Sequence, residues 1–159
     1  MTINSTAGAK VYIGPASEAK LLTEFTAITT AGDWVEIGEV EDLGEWGAEG
    51  TEITFKNLGD KYTRRRKGTI DSGSVALICA RDPLDAGQIA ARAAAEEQYS
   101  YAFRVVLEDQ PSDAGTPTSF YFVAVVLSAK NSFGTADDLT KTTFTLGIDG
   151  AVIEVPATA

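Results

Sequence analysis

The sequence contains no histidine and only one cysteine among its 159 residues. Histidine is the commonest general base and metal ligand, so Ser-His-Asp catalysis, Cys-His catalysis and cysteine-histidine zinc sites are excluded within this chain. A single cysteine cannot form an internal disulfide. Because Cys79 lies in the apolar run 75–79, we interpret it as a small core residue.

Long hydrophobic runs are absent too. We expect no membrane anchor and no signal peptide, and cytoplasmic synthesis is the default. Phosphate-binding glycine motifs are also missing. Adjacent carboxylates such as Asp137 and Asp138 would point to opposite faces of a strand, so adjacency does not make them a catalytic pair. We therefore predict no catalytic residue, no metal site and no cofactor, and an enzyme is the least favoured class.

Positive charge is scarce. The chain has 13 Lys and Arg against 23 Asp and Glu, which gives a formal net charge of −10. Binding nucleic acid through its phosphates needs clustered Lys and Arg, so this balance argues against it. A role of the charge in solubility is equally compatible. The hydrophobic content of 44% is that of an ordinary globular domain.

One helix is predicted, over about 84–97. Asp82 is the expected N-cap, and Pro83 suits the first helical position, where its missing N–H costs nothing. At 100° per residue the helix has two sides. The expected packing face is small and apolar: Leu84, Gly87, Ala90, Ala91 and Ala94. The expected polar face comprises Asp85, Gln88, Arg92 and Glu96.

The remaining segments have mostly β character. Segment 16–32 is expected to be irregular or a short helix. The run 120–129 is apolar on both faces, which predicts cover on both sides or a subunit contact. In 140–148 we expect alternation with an inward face of Thr142, Phe144, Leu146 and Ile148, followed by a hairpin turn at Asp149-Gly150. The other predicted strands are 10–13, 34–40, 69–79 with a break at Ser72-Gly73, 101–107 and 151–155.

These elements predict one domain, 1–159, with a flexible N-terminal arm at 1–9. The expected fold is mainly β, a β-sandwich or open barrel with one flanking α-helix. Ile53 and Phe55 alternate with polar residues, which indicates a hairpin whose far strand is 62–67. That hairpin belongs to a long loop over 41–67.

Charge is segregated in this part of the chain. Lys56 is the only base between Asp33 and Asp60, whereas 61–67 contains five bases and no acid. Opposite charges on two parts of one chain suit head-to-tail contacts between copies, which build rings or filaments. An intramolecular ladder of salt bridges is the equally weighted alternative. Trp46 is a better interface candidate than Trp34. The candidate contact residues are Glu41, Asp42, Glu45, Trp46, Glu49, Phe55, Arg64, Arg65, Arg66 and Lys67.

The order of these elements resembles a known family. An early strand precedes the acidic glycine-rich loop, the strand region 62–77, the helix start 81–88 (Arg-Asp-Pro-Leu-Asp-Ala-Gly-Gln) and the strands 101–107 and 142–150. The sequence resembles the major tail tube proteins of long non-contractile-tailed bacteriophages and gene transfer agents, over roughly residues 10–155.

The resemblance implies a structural role in a virion tail, assembled in the host cytoplasm. Subunits would form hexameric rings that stack into a hollow tube, with strands of all subunits closing one inner β-barrel. The long loop, here about 41–61, would reach a neighbouring ring. DNA would pass from capsid to host without specific binding, and an acidic lumen would repel its phosphates. Implied partners are other copies and the tail terminator, tail tip and tape-measure proteins.

Two alternatives stay open. One is the inner tube of a contractile injection machine, which shares the fold. The other is a monomeric β-sandwich binding or adhesion module. That module would need an exposed aromatic platform, for which the candidates are Trp34, Trp46 and Tyr62.

Overall fold

The computed structural model describes residues 3–28 and 33–159. Within them the chain is mainly β, with nine strands and two helices, which confirms the predicted fold class. Residues 29–32 of the segment expected to be irregular or helical lie outside the described residues. The elements are β1 (Lys10–Ala16), α1 (Leu22–Thr26), β2 (Val35–Ile37), β3 (Val40–Asp42), β4 (Glu49–Phe55), β5 (Arg64–Asp71), β6 (Ser74–Ala80), α2 (Ala86–Ala95), β7 (Ser100–Val106), β8 (Ser119–Ser132) and β9 (Lys141–Val155).

Seven strands form one antiparallel sheet in the order β2-β1-β7-β8-β9-β6-β3. β2 and β3 are the two edge strands, yet only Gly38 and Glu39 separate them in sequence. Two linking residues span about 11 Å at most from Ile37 to Val40, so the two edges of the sheet lie close together. The sheet is therefore curled into an open barrel.

The single strand predicted over 34–40 is wrong, because the chain changes sheet edge inside it. Glu39 has φ 57°, in the left-handed region, and breaks the strand between β2 and β3. β2 pairs with β1, whereas β3 pairs with β6. The apolar alternation of Val35 and Ile37 ends at Glu39, and Val40 is out of phase with it, but a shift of phase does not reveal a change of partner strand.

The main hydrophobic core fills the barrel. Thr142, Phe144 and Leu146 of β9 are buried, which confirms the predicted alternation there. The rings of Phe103 and Phe122 stack at the centre, with their centroids 5.6 Å apart. Other buried residues come from every side of the barrel: Val11, Ile13, Ile37, Val75, Leu77, Cys79, Val105, Ala124 and Val126.

β9 runs through the predicted hairpin turn. Asp149-Gly150 and the separate strand expected at 151–155 are both part of one strand that pairs with β8 along its length. The pairing shifts between Tyr121 and Val123 of β8, where Gly150 has φ 87°. A glycine in the left-handed region here makes a β-bulge that bends the strand without reversing it.

Helix α2 starts later than predicted. Its N-cap is Asp85, whose Oδ2 accepts the Gln88 N–H at 2.9 Å, and not Asp82. Asp82 instead closes the turn before the helix by accepting the Leu84 N–H at 2.9 Å. Asp85 also accepts the Gly38 N–H, a contact with the barrel that local sequence could not show.

The faces of α2 are partly as predicted. Leu84 lies outside the helix and is 88% exposed, and Gln88, expected on the polar face, is fully buried. Gln88 Nε2 donates to the carbonyls of Gly38 at 3.1 Å and Ala80 at 2.9 Å. Both N–H groups of the buried side-chain amide are therefore satisfied. The buried small residues confirm the predicted packing face: Gly87, Ala91 and Ala94.

A smaller apolar cluster covers the outer face of β1, β7 and β8. Phe25 of α1 is buried against Tyr121, with ring centroids 5.7 Å apart. Trp34 packs on Tyr121 as well, and its Nε1–H donates to the Ile28 carbonyl at 2.6 Å. The first half of β8 is therefore covered on both faces. This is one of the two outcomes that the apolar residues on both of its faces predicted.

Candidate assembly surface

β4 and β5 form a separate two-stranded sheet, which we call the arm (residues 49–71). The predicted hairpin is confirmed, although its far strand begins at Arg64 and continues to Asp71. Apart from half-buried Gly68, every residue of both strands is exposed. An isolated two-stranded hairpin is marginally stable in water. The arm therefore has little support from the rest of its own chain.

Part of the basic run pairs with acids of the arm itself. Arg65 Nε lies against Glu52 Oε1, and Arg64 Nη2 lies 3.1 Å from Asp60 Oδ2. Within the part of the chain that the structure describes, the two bases that follow form no ion pair. The intramolecular ladder therefore accounts for half of the run 64–67. Exposed pairs of this kind contribute about 0–1 kcal/mol each.

One face of the arm combines apolar and basic side chains. Ile53 lies directly opposite Arg66, and Phe55 lies opposite Arg64. Alternate residues of a strand share a face, so these four side chains lie together, and we call them the distal face. Ile53 is 54% exposed and Phe55 62% exposed. The loop of the arm adds two further exposed apolar side chains, Leu58 and Tyr62.

Two of the acidic candidates bond within the barrel. Glu41 Oε2 lies 2.7 Å from Lys141 Nζ, which joins β3 to β9. Asp42 Oδ1 accepts the Gly44 N–H at 2.7 Å in the turn that follows β3. These contacts give both residues a structural role, and their part in contacts between copies stays a prediction.

Four other acids surround the base of the arm. Glu49 and Asp71 lie directly opposite each other in the first residue pair of the arm. Glu45 lies nearby in the link from β3, and Glu154 comes from the end of β9. None of the four forms an ion pair within residues 3–28 and 33–159. Asp71 Oδ1 accepts the Gly73 N–H at 2.9 Å, and like charges directly opposite each other are unfavourable, so Glu49 is the member of this pair suited to a cation from outside.

Trp46 packs within the chain. Its ring lies 5.5 Å from that of Phe120 and 5.3 Å from that of Phe122, measured between centroids, and it closes one end of the barrel core. Its exposed side borders a groove of about 630 Å³ with Glu154 at the rim, which we call the Trp46 groove. Four side chains give the groove its apolar character: Trp46, Ile70, Phe120 and Val152.

The Trp46 groove could not be found by sequence reasoning. Phe120 and Val152 are remote from the loop in sequence, and the bulged pairing of β8 with β9 brings them together. No local pattern marks such a meeting of four segments. Only Trp46, which was chosen for its acidic and glycine-rich surroundings, belongs to both the predicted set and the groove.

Among residues 3–28 and 33–159, two strand edges of the barrel have no partner along part of their length. β7 begins at Ser100, opposite Val125, so residues 126–132 of β8 pair with β9 alone. β3 pairs with β6 alone. These edges lie on opposite sides of the four-strand stretch β3-β6-β9-β8. Unpaired edges are templates for pairing with another chain.

The outer face of this four-strand stretch is small and largely uncharged. The core occupies its other face, so the alternate residues point outward. At one end of the face lie Lys130 and the ion pair of Glu41 with Lys141. Most of the rest is small and uncharged, namely Ser74, Ala76, Ile78, Ser128, Ser132, Thr143, Thr145 and Gly147, and two larger or charged side chains complete it: Leu127, 62% exposed beside Gly147, and Asp42, opposite Ile78.

Groups with catalytic or ligand-binding chemistry are few. Within the described residues, no group of three or more His, Cys, Asp and Glu could hold a metal ion. No helix in that part of the chain is long and apolar enough to cross a membrane. Trp34, Trp46 and Tyr62 lie in three different places, the outer-face cluster, the end of the core and the loop of the arm, so they do not form one aromatic platform.

No protein-family model matches the sequence, and no curated protein matches it. Solved structures do share its fold. A chain of the anti-feeding prophage (AFP) baseplate is 12% identical with a TM-score of 0.69, covering 98% of this chain and 97% of that one. The SPP1 tail tube is 15% identical with a TM-score of 0.64, covering 93% and 76%.

A third structure comes from PVC, an extracellular contractile injection system. Its sheath/tube terminator is 14% identical with a TM-score of 0.65, covering 98% of both chains. Identities this low carry information about the fold alone. The chain thus has a tail tube-like fold, which it shares with components of both a tail tube and a contractile injection system.

Proposed function

We propose that this chain is the structural subunit of a tail tube, in which copies form hexameric rings that stack into a hollow tube for DNA. The observation that carries the proposal is the pair of unpaired strand edges on opposite sides of β3-β6-β9-β8. The tail tube-like fold over nearly the whole chain supports it. The exposed arm supplies a contact surface beyond the ring.

Rings close when the β8 edge of one copy pairs with the β3 edge of the next. Residues 126–132 and Val40–Asp42 are the two segments that meet, and backbone hydrogen bonds between them extend the sheet. The contact joins two different surfaces, so each copy keeps one edge free until the ring closes. Closure leaves no open edge in the shared barrel, which protects it from further pairing.

The inner wall of the ring is then the uncovered face of β3-β6-β9-β8. The core, the helices and the other strands all lie on the opposite side of this stretch, so they must lie outside a closed ring. Thr143, Thr145 and Gly147 of β9 line the middle of that wall. A wall with few cations has little to bind phosphate, so DNA passes without adhering, and the net charge of −10 adds long-range repulsion.

The arm connects one ring to the next. It is exposed throughout and forms its own sheet, so it is free to reach beyond its subunit. The tube belongs to a virion tail assembled in the host cytoplasm. Tail terminator, tail tip and tape-measure proteins are its partners at the ends and inside.

Negative-stain electron microscopy of the purified protein over a concentration series tests the proposal. We expect hollow tubes of stacked rings at high concentration, or after addition of a tail-tip preparation as initiator. A protein that stays monomeric in both conditions would overturn the proposal and favour a monomeric binding module.

A contractile injection machine is the second candidate. The likeness to the PVC sheath/tube terminator favours it, because that structure comes from a contractile system. The resemblance of the sequence favours a non-contractile tail. A sheath protein encoded beside this chain would decide for the contractile system, and co-purification of tube and sheath would test it directly.

A further inference from the structure

We propose that the Trp46 groove receives the distal face of the arm of a second copy of this chain. The inference rests on the proposed function, because it names the acceptor for the arm within the tube. It goes further than that function, since it assigns one pocket and one set of side chains to the contact between rings.

The two surfaces match in apolar character. The distal face presents Ile53 and Phe55, both more than half exposed on an arm that no other strand covers. The groove presents an apolar floor of aromatic and aliphatic side chains and has about 630 Å³ of space. A phenylalanine ring is the kind of anchor that fills such a pocket in protein interfaces.

The two surfaces also match in charge. Arg64 and Arg66 flank the apolar side chains of the distal face. At the groove, Glu154 is the carboxylate among the lining residues, and Glu49 lines a neighbouring pocket that shares Trp46, Gly47, Ala48 and Ser72 with the groove. An arginine from a second copy that sits in the groove would pair with Glu154. Arginine suits this role because its planar fork binds carboxylates in pairs.

The arm cannot fill its own groove. Glu49 is the first residue of β4 and Phe55 is the last, so the distal face lies about 20 Å from the base of the arm at the usual rise per residue. The groove lies at that base. A paired two-stranded ribbon would have to fold back on itself to bring the two surfaces together, and this would break its ladder.

The contact is therefore head-to-tail and does not close on itself. Each copy offers one distal face and one groove, so every ring can bind the ring above and the ring below. This is the arrangement that stacking needs, and it leaves the β3 and β8 edges free for contacts within the ring.

Charge exchange between two variants tests the inference. The arm variant carries Arg64→Glu and Arg66→Glu, and the rim variant carries Glu49→Arg and Glu154→Arg. Each variant alone should lose tubes, since its arm and groove then have like charge. A one-to-one mixture should recover them, because the acidic arm binds the basic rim and the unchanged arm binds the unchanged rim. All four positions are exposed or half-buried, so the fold is retained, which circular dichroism checks.

A matched control reverses the same amount of charge on the other face of the arm. Arg65→Glu with Lys67→Glu should leave tube formation as in the wild type. If the rim variant forms tubes normally, or if the mixture assembles no better than its parts, the inference is overturned while the tube function stands. If the wild type itself forms no tubes with an initiator, the proposed function fails first.

Disulfide cross-linking locates the contact. In assembled tubes of a Lys56→Cys and Ala151→Cys double variant, which keeps Phe55 and Val152 in the contact, oxidation should give a ladder of covalent multimers. Cys79 is buried and does not compete. Tubes without a ladder would overturn the inference. The comparison variant carries Ile3→Cys with Ala151→Cys. A ladder from this variant, and none from the Lys56→Cys variant, would assign the groove to the N-terminal segment.

Discussion

Asp85 Oδ2 accepts the backbone N–H of Gly38 at 3.1 Å, across 47 residues of sequence. The same oxygen accepts the Gln88 N–H at 2.9 Å and so caps helix α2. Gly38 belongs to the two-residue link by which the chain crosses from one sheet edge to the other. One carboxylate therefore joins the N-terminus of α2 to the link between β2 and β3.

Asp85→Ala should lower the free energy of unfolding by about 1–2 kcal/mol, the usual loss for an N-cap, with the loss of the Gly38 contact included. Asp82→Ala is the matched control, because Asp82 accepts only the Leu84 N–H in an exposed turn, and its loss should be smaller. Urea denaturation measures both. Equal losses would contradict Asp85 as the N-cap.

Gly87→Ala should destabilise the protein by about 1–3 kcal/mol through overpacking. A Cβ at this position would overlap the backbone of β2, with Ile37 Cα only 2.6 Å away. Helix propensity alone predicts the opposite sign, a gain of about 1 kcal/mol for alanine. Thermal and urea unfolding decide the sign. A stabilised variant would mean that α2 does not lie against β2 as closely as the structure has it.

The parts of the fold that followed from sequence depend on local periodicity. The inward face of β9 and the small face of α2 are two such parts, because side-chain direction repeats every 2 or 3.6 residues. The hairpin of the arm is a third, since Ile53 and Phe55 alternate with polar residues. In each case neighbours along the chain determine the element.

The parts that sequence missed depend on contacts between distant segments. The helical period predicts Gln88 on the polar face of α2. It is buried instead, because the carbonyls of Gly38 and Ala80 accept hydrogen bonds from its amide. Asp149-Gly150 carries the composition of a turn, but the pairing of β9 with β8 uses it as a bulge. The Trp46 groove likewise exists only once four segments have met.

Cys79 should be unreactive in the native protein. Burial raises the pKa of its thiol to about 12, with a smaller contribution from the charge of Asp85. At pH 8 the thiol is therefore neutral as well as inaccessible, and the thiolate is the form that reacts. We expect no reaction with Ellman's reagent in native buffer and one thiol per chain in guanidinium chloride. Rapid native labelling would contradict its place in the core.

Asp109 should make stability depend on pH in the acidic range. Its carboxylate accepts the hydroxyl of Thr118 at 2.5 Å and the Thr118 N–H at 2.7 Å, and these bonds hold the pKa of Asp109 below its usual value. The folded pKa lies below the unfolded value of about 3.9. The stabilisation is thus complete above pH 4 and is lost as the pH falls through the folded pKa.

Asp109→Asn tests this pH dependence. The variant should be less stable than the wild type at pH 7, and the difference should shrink as the pH falls below 4, because the protonated wild type then resembles the amide. Urea denaturation over a pH series measures it. A difference that is constant from pH 7 to pH 3 would show that the charge of Asp109 is not what matters.

Removing the arm should separate folding from assembly. Glu49 and Asp71 lie directly opposite each other, so an Asn-Gly turn can join them in place of residues 50–70. Both strands of the arm are exposed, and they pair only with each other, so the barrel should keep its melting temperature within a few degrees. The shortened protein keeps both strand edges of the ring contact, so it should form nothing larger than a single ring by size-exclusion chromatography and give no tubes by electron microscopy, while the full chain polymerises under the same conditions. Normal tubes from the shortened protein would show that stacking needs neither the distal face nor any other part of the arm, and the contact between rings would then have to lie on the barrel itself.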